Sequence, residues 1–115
     1  MQPIDDKKVQ DALNNYKNKT IYIHLETTNG AYAAHRNDAA MAVSAFIRNG
    51  KIVFSQGKIT GDNPYRVGLK MDDGWVYAQG LTDWEIDTEE RLLLAGHDTE
   101  GRIAVALHLS EKPFT

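Results

Sequence analysis

The chain has 115 residues, of which 42% are hydrophobic, 9% aromatic and 25% charged, a composition typical of one ordinary globular domain. It contains no cysteine, which excludes disulfides, thiolate metal sites and thiol nucleophiles and favours a reducing, cytoplasmic location. The formal net charge of −3, with both signs interspersed, offers no basic patch for nucleic acid. No segment approaches the ~20 apolar residues of a membrane span. The sequence therefore predicts a single domain over residues 1–115 that binds neither nucleic acid nor membranes.

The first predicted element is an amphipathic helix over residues 5–18. Apolar side chains recur there at i, i+3, i+4 and i+7: Val9, Ala12, Leu13 and Tyr16. This spacing places them on one face of a helix, which we expect to pack against a sheet. Asp5 or Asp6 can cap the helix by accepting hydrogen bonds from its first backbone N–H groups.

After the helix the apolar period changes to two, which is typical of strands with one buried face. Ile21, Ile23 and Leu25 alternate with polar residues in the first such segment. Residues 31–38 are read as a loop or an edge strand. Three hairpins are predicted, with turns at Asn49-Gly50, at Asp73-Gly74 and near Glu100-Gly101.

These elements predict an all-β-dominated fold in which antiparallel hairpins over about residues 20–110 form an irregular, partly open barrel behind one N-terminal helix. Too few helices are present for the crossovers of a parallel sheet. The predicted core positions on the strands are Ile21, Ile23, Leu25, Val67, Leu69, Ile103, Val105 and Leu107.

The strongest candidate binding residues lie on the second predicted hairpin. Arg66 and Lys70 project from one face of a strand, and Gly68 between them leaves space where an oxyanion could approach the backbone. Trp75 and Tyr77 alternate on the returning strand and can border that face. The pattern indicates a surface for an anionic small molecule or an acidic partner segment. The alternatives are that the two cations belong to a solvated sheet face and that the rings belong to the core.

A weaker pattern indicates a metal site. His24 and Glu26 are two apart on a strand, so both side chains point the same way. If folding brought His35 and His97 beside them, nitrogen and oxygen ligands would converge. The alternative is that His24 and Glu26 only exchange cross-strand hydrogen bonds.

No complete catalytic set is present in the sequence. There is no G-x-S-x-G elbow around any serine and no phosphate-binding glycine loop. The sequence therefore predicts no catalytic residue and no cofactor.

Long stretches of the chain resemble a known family: Tyr22 to Tyr32, Gly61 to Lys70, Gly74 to Tyr77 and Leu92 to Asp98. They are similar to the YojF family of small uncharacterised proteins of Bacillus-type bacteria. The resemblance implies an all-β fold around an irregular, partly open barrel. It also implies genes that often lie beside an LmbE-like deacetylase of bacillithiol biosynthesis, which makes that enzyme a potential partner.

Three functions are therefore weighed. The first is a non-catalytic ligand-binding or accessory module, with an anionic small molecule or the deacetylase as its partner. The second is a small metal-assisted hydrolase or isomerase that uses His24, Glu26, His35 and His97. The third is a structural, oligomeric interaction protein, such as a homodimer formed through exposed sheet edges.

Overall fold

A computed structural model describes residues 1–27 and 45–115. The predicted loop or edge strand over 31–38, and with it His35, lies outside the described residues. The described elements are, in chain order, β1 (Gln2–Pro3), α1 (Asp6–Tyr16), β2 (Ile21–Thr27), β3 (Ala45–Ile52), β4 (Gln56–Gly61), β5 (Tyr65–Met71), β6 (Gly74–Leu81), β7 (Asp83–Ile86), β8 (Leu92–His97) and β9 (Ile103–Ser110). Within these residues, no helix has the length and apolar character needed to cross a membrane.

The described strands form two antiparallel sheets. The six-stranded sheet has the order β1-β7-β8-β9-β2-β3, and the three-stranded sheet has the order β4-β5-β6. Helix α1 packs on β4, while β6 packs on β8 and β9. The hydrophobic core lies between these layers. The predicted fold class is confirmed, since antiparallel strands dominate beside one helix and the two sheets do not close into one barrel.

Helix α1 begins as predicted and also completes a sheet edge. Asp5 is the N-cap, with Oδ1 accepting from the backbone N–H of Lys8 at 3.2 Å. The side-chain amide of Gln10 donates to the Gly57 carbonyl at 2.8 Å and accepts from the Ile59 N–H at 3.1 Å. These two bonds replace a neighbouring strand along β4, so the helix covers an edge that would otherwise be open to another chain.

The predicted hairpin at Asn49-Gly50 is wrong. Strand β3 continues through these residues and pairs with β2, whereas β4 belongs to the other sheet. Asn49 does adopt the positive φ that the dipeptide favours, at 58°. Ile23 pairs with Gly50 while His24 pairs with Arg48, so Asn49 is the extra residue of a bulge. The left-handed conformation bends the strand instead of reversing it.

The other two predicted hairpins are confirmed. Residues 72–73 join β5 to β6, and residues 98–102 join β8 to β9. The second turn repeats the sequence of the β7–β8 turn, so that DTEER at 87–91 matches DTEGR at 98–102. In both, the aspartate Oδ1 accepts from the backbone N–H groups two and four residues later, and Oδ2 accepts from the arginine Nε.

Most predicted core residues are buried, with two departures. Leu25 is only partly buried. Ile103 is 53% exposed, so its assignment to the core is wrong. It begins β9, beyond a register shift at Gly96 and His97, and pairs with His97. Ile103 lies two residues before Val105, which predicted burial on the same face, but the second sheet does not cover this end of the strand.

The two sheets come into close backbone contact at two glycines. A Cβ atom at Gly96 would overlap the carbonyl oxygen of Gly80 on β6. Only a glycine allows these two backbones to come so near. This contact fixes β6 against β8, and it leaves the remaining face of the three-stranded sheet directed away from the core.

Candidate functional site

The four predicted ligand-binding residues lie together on the outward face of the three-stranded sheet. Arg66 and Lys70 project from β5, and Trp75 and Tyr77 project from β6. In the strand register Lys70 is opposite Trp75, and Gly68 is opposite Tyr77. We call these four residues the aromatic–cationic face.

The two rings of this face are stacked and open to solvent. Trp75 and Tyr77 have ring centroids 5.4 Å apart and planes inclined by 5°. Their exposed fractions are 49% and 45%, so neither belongs to the core. The Arg66 guanidinium carbon lies 4.7 Å from the Tyr77 centroid, and the Lys70 ammonium lies 6.0 Å from the Trp75 centroid. Both cations therefore contact an aromatic ring.

The open space expected above Gly68 is filled. A Cβ atom at Gly68 would lie 2.8 Å from Cε1 of Tyr77, which shows that the ring rests directly on the glycine backbone. The prediction that an oxyanion could reach this backbone is therefore wrong. An anion on this face would contact the ends of Arg66 and Lys70 instead.

A third cation enlarges the positive surface. Lys58 on β4 is opposite Gly68, between Gln56 and Thr60, which are opposite Lys70 and Arg66. Within residues 1–27 and 45–115, none of the three cations Lys58, Arg66 and Lys70 forms an ion pair. In a chain whose net charge is −3, this face combines uncompensated positive charge with exposed aromatic surface.

A second group of functional side chains lies on the outward face of the six-stranded sheet. His24 on β2 is directly opposite His108 on β9, with ring centroids 5.2 Å apart. The Phe114 ring lies beside both imidazoles, at 6.3 Å from His24 and 6.2 Å from His108. Arg48 and Arg91 lie over that ring at 5.1 and 5.7 Å. We call these five residues the Phe114 cluster.

Hydrogen bonds hold residues 114–115 against this cluster. Asn49 accepts from the Phe114 N–H at 2.6 Å and donates to its carbonyl at 2.9 Å. Arg48 donates from Nη2 to the Thr115 carbonyl at 2.9 Å, and its Nη1 lies 3.3 Å from His24 Nδ1. Residues on the β3 bulge therefore bind the end of the described chain.

Burial lowers the pKa of both histidines of the cluster, which favours their neutral forms. The pKa of His108 falls to about 4, chiefly through burial and then through the charges of His24 and Arg48. Burial also lowers the pKa of His24, with Arg48 acting in the same direction and Glu26 opposing it. A neutral imidazole both donates and accepts one hydrogen bond, so this pair can contact a ligand without carrying charge.

The alternative metal set is not assembled by the described residues. His24 Nε2 does lie 3.6 Å from Glu26 Oε1. His97, however, lies two strands from His24 and four residues beyond its register position, and His35 is outside the described residues. Among residues 1–27 and 45–115, no three histidine, aspartate or glutamate side chains are grouped so that they could hold a metal ion.

His97 instead contacts an aspartate. Its Nδ1 lies 3.1 Å from Asp83 Oδ1, which also accepts from the Thr82 hydroxyl at 2.6 Å. The Thr82 hydrogen bond is the main cause that lowers the pKa of Asp83, and His97 adds to it. An aspartate that fixes one ring nitrogen leaves the other available as a base, but the Thr82 hydroxyl contacts the ring at 3.4 Å on Nδ1, the same nitrogen that faces Asp83.

A groove of about 1030 Å³ lies between α1, the β7–β8 turn and residues 110–115. Its lining carries four basic and four acidic side chains, with ion pairs between Lys19 and Glu111 and between Arg91 and Glu89. Trp84 also lines the groove and is buried, as expected of a core ring. Because its charges compensate each other, the groove favours no class of ligand. Arg91 and Thr115 line it too, so it extends to the Phe114 cluster.

The sequence prediction missed most of the Phe114 cluster. His108 would have been found by aligning the alternation of β9 with that of β2, because the two histidines share a register position. Phe114 and Asn49 carry no such signal, since their contact joins a bulge to a segment without periodicity.

Comparison with known proteins assigns the chain to a family of unknown function. Residues 3–114 match the family described as "Protein of unknown function (DUF1806)". The match covers nearly the whole chain, and the chain is a member of this family.

Two comparisons agree with that assignment. The chain is 52% identical over 115 residues to the uncharacterized protein YojF of Bacillus subtilis (strain 168), covering 100% of this chain and 99% of that protein. It also superposes on the crystal structure of Bacillus subtilis YojF with a TM-score of 0.81 and 45% sequence identity, covering 99% of this chain and 96% of that chain. The resemblance predicted from the sequence motifs is confirmed.

Proposed function

We propose that this protein is a non-catalytic binding module that takes an anionic small molecule on its aromatic–cationic face. The observation that supports the proposal is the set of three cations, Lys58, Arg66 and Lys70, that have no carboxylate partner among the described residues. Two of them border stacked, half-exposed rings. The cytoplasmic location expected from the sequence is part of the same proposal.

The chemistry of the face selects a ligand with both an oxyanion and a flat or apolar part. Arg66 can bind a carboxylate or phosphate in bidentate fashion, and Lys70 adds a point charge. The exposed edges of Trp75 and Tyr77 offer van der Waals contact to the rest of the ligand. Since the face is open, salt should screen the attraction, and affinity should fall as ionic strength rises above 0.15 M.

The test is a calorimetric titration of the purified protein with sugar phosphates, with thiol-containing carboxylates and with the LmbE-like deacetylase suggested by the family resemblance. The variants are Arg66→Ala and Lys70→Ala. Each should weaken binding of the small-molecule ligand about tenfold, the equivalent of one lost charge-assisted hydrogen bond.

Lys51→Ala is the matched control. Its ammonium lies 5.9 Å from the Tyr22 ring, a contact much like that of Lys70 with Trp75, but on the other sheet. It should bind like the wild type. Equal binding by the wild type, Arg66→Ala and Lys70→Ala would contradict the proposal. Binding to the deacetylase alone would replace it with the accessory role.

A further inference from the structure

The Phe114 ring is surrounded by four basic side chains. Two guanidinium groups and two imidazoles lie between 5.1 and 6.3 Å from its centroid. The ring is buried, with 6% exposed. Groups of this kind converge in proteins where an oxyanion binds, because each presents N–H donors. Here an aromatic side chain of the same chain occupies the point on which they converge.

We propose that the Phe114 cluster is a phosphate-binding site and that residues 113–115 occupy it as a removable plug. A tetrahedral phosphate group at the position of the ring would lie within reach of Arg48, His24 and His108 on the sheet and of Arg91 above it. This site is on the opposite sheet from the aromatic–cationic face and does not depend on the function proposed for that face.

An anion can replace the contacts that the Phe114 ring makes with the basic side chains around it. A cation–π contact at a partly exposed site is weaker than a hydrogen bond between charged groups. Arg48 now donates from Nη2 to the Thr115 carbonyl. Departure of residues 113–115 frees that donor, so Arg48 is the main ligand residue of the proposed site.

The plug is attached through few polar contacts. Besides the Arg48 bond, Asn49 supplies two hydrogen bonds to the Phe114 backbone. The groove beside α1 is lined by Arg91 and Thr115, so an anion can approach from that side. No core strand needs to move for the ring to leave.

Three carboxylates flank the site, and each pairs with one of its basic side chains. Glu26 lies 3.6 Å from His24 Nε2, and Asp87 lies 2.6 Å from Arg91 Nε. Glu89 pairs with Nη2 of Arg91 at 3.0 Å. The carboxylates orient their basic partners, while Arg48 contacts His24 and the Thr115 backbone oxygen.

The test compares the binding of inorganic phosphate to the wild type, to Phe114→Ala and to Asn49→Gly by calorimetry. Removing the ring should tighten binding at least tenfold. Asn49→Gly keeps the ring and suits the positive φ, but it deletes both hydrogen bonds to the plug, so it should tighten binding in the same direction. If Phe114→Ala does not fold, Asn49→Gly decides the outcome.

Two further substitutions in the Phe114→Ala background locate the site. Adding Arg48→Ala should abolish the gained affinity, and adding Arg66→Ala should leave it unchanged. Loss through Arg66→Ala would assign the binding to the aromatic–cationic face and overturn the proposal. A parallel titration with glucose 6-phosphate distinguishes a phosphate monoester from free phosphate as the better ligand. Phosphate binding that neither Phe114→Ala nor Asn49→Gly tightens would also overturn it.

Discussion

The outward faces of the two sheets carry similar side chains in opposite states. Each has an arginine over an aromatic ring, with Arg48 5.1 Å from Phe114 and Arg66 4.7 Å from Tyr77. On the six-stranded sheet the ring is buried, and Arg48 also contacts His24 and the Thr115 carbonyl. On the three-stranded sheet the ring is half exposed, and Arg66 has no carboxylate partner among the described residues.

The difference shows that the residues around an arginine–ring pair, more than the pair itself, decide whether its arginine is open to a ligand. The Phe114 cluster is closed by hydrogen bonds from a strand bulge, so a ligand must first displace part of the chain. The aromatic–cationic face is open, so a ligand need only approach it. The first arrangement favours selectivity, and the second favours rapid, salt-sensitive association.

The comparison requires that both faces point away from one core. Truncating Leu107 tests this requirement, and its effect on stability is the largest that we expect. Leu107 is fully buried on β9, between the outward-facing Ala106 and His108. Leu107→Ala should lower the free energy of unfolding by about 2–5 kcal/mol, through lost burial and the cavity left behind. Urea denaturation at pH 7 measures the change.

Ile86→Ala serves as the control, because Ile86 is 45% exposed at the end of β7. Truncating it should change stability by about 0.5 kcal/mol or less. Equal losses in the two variants would mean that the inward and outward faces of the six-stranded sheet are assigned incorrectly.

The pH dependence of stability sharpens the comparison, since of the two surfaces the Phe114 cluster contains imidazoles and the aromatic–cationic face does not. Between pH 6.5 and about 4 the unfolded chain binds a proton at His108 that the folded chain does not. Stability should therefore fall as the pH falls through this window. Full burial would give a loss of about 3 kcal/mol, and solvent screening at a partly exposed ring reduces it to about 1–2 kcal/mol.

His108→Gln removes the titrating group, so its free energy of unfolding should fall less than that of the wild type between pH 7 and pH 5. His24, whose pKa is also lowered, accounts for a remaining slope. Ile86→Ala, which changes no titratable group, should keep the wild-type slope. Identical slopes for His108→Gln and the wild type would show that His108 is not buried in its neutral form.

Local signals predicted the parts of this fold that depend on local contacts. The period of α1 and the turns after β5 and β8 are encoded within a few residues. Asn49-Gly50 misled because its positive φ serves equally in a turn and in a bulge, and the choice depends on β2, some 25 residues away. The repeated DTEER and DTEGR turns were visible in the sequence, but only the structure shows their shared hydrogen bonds.

The candidate sites divide in the same way. Arg66, Lys70, Trp75 and Tyr77 could be grouped from the sequence because one hairpin carries them all. The Phe114 cluster joins β2, β3, β9, the β7–β8 turn and residues 113–115, and this depends on the sheet order. The strand order β9-β2-β3 brings His24, His108 and Arg48 side by side, and alternation along each strand does not reveal that order.

The smallest expected effect comes from removing each arginine in turn. Arg48→Ala should cost about 1 kcal/mol, because the Thr115 carbonyl loses its hydrogen bond and the Phe114 ring loses a cation. Arg66→Ala should cost about 0.5 kcal/mol, since it removes only one exposed cation–π contact. Urea denaturation of both variants at pH 7, repeated in 1 M NaCl, measures the two costs. Salt should reduce the smaller cost further, since exposed charges are screened over about 3 Å at that concentration, while the part-buried contact of Arg48 with His24 and its contact with the buried Phe114 ring are screened less. If Arg66→Ala proved the more destabilising of the two, the aromatic–cationic face would be a structural element of the three-stranded sheet, and its charges would not be available for a ligand.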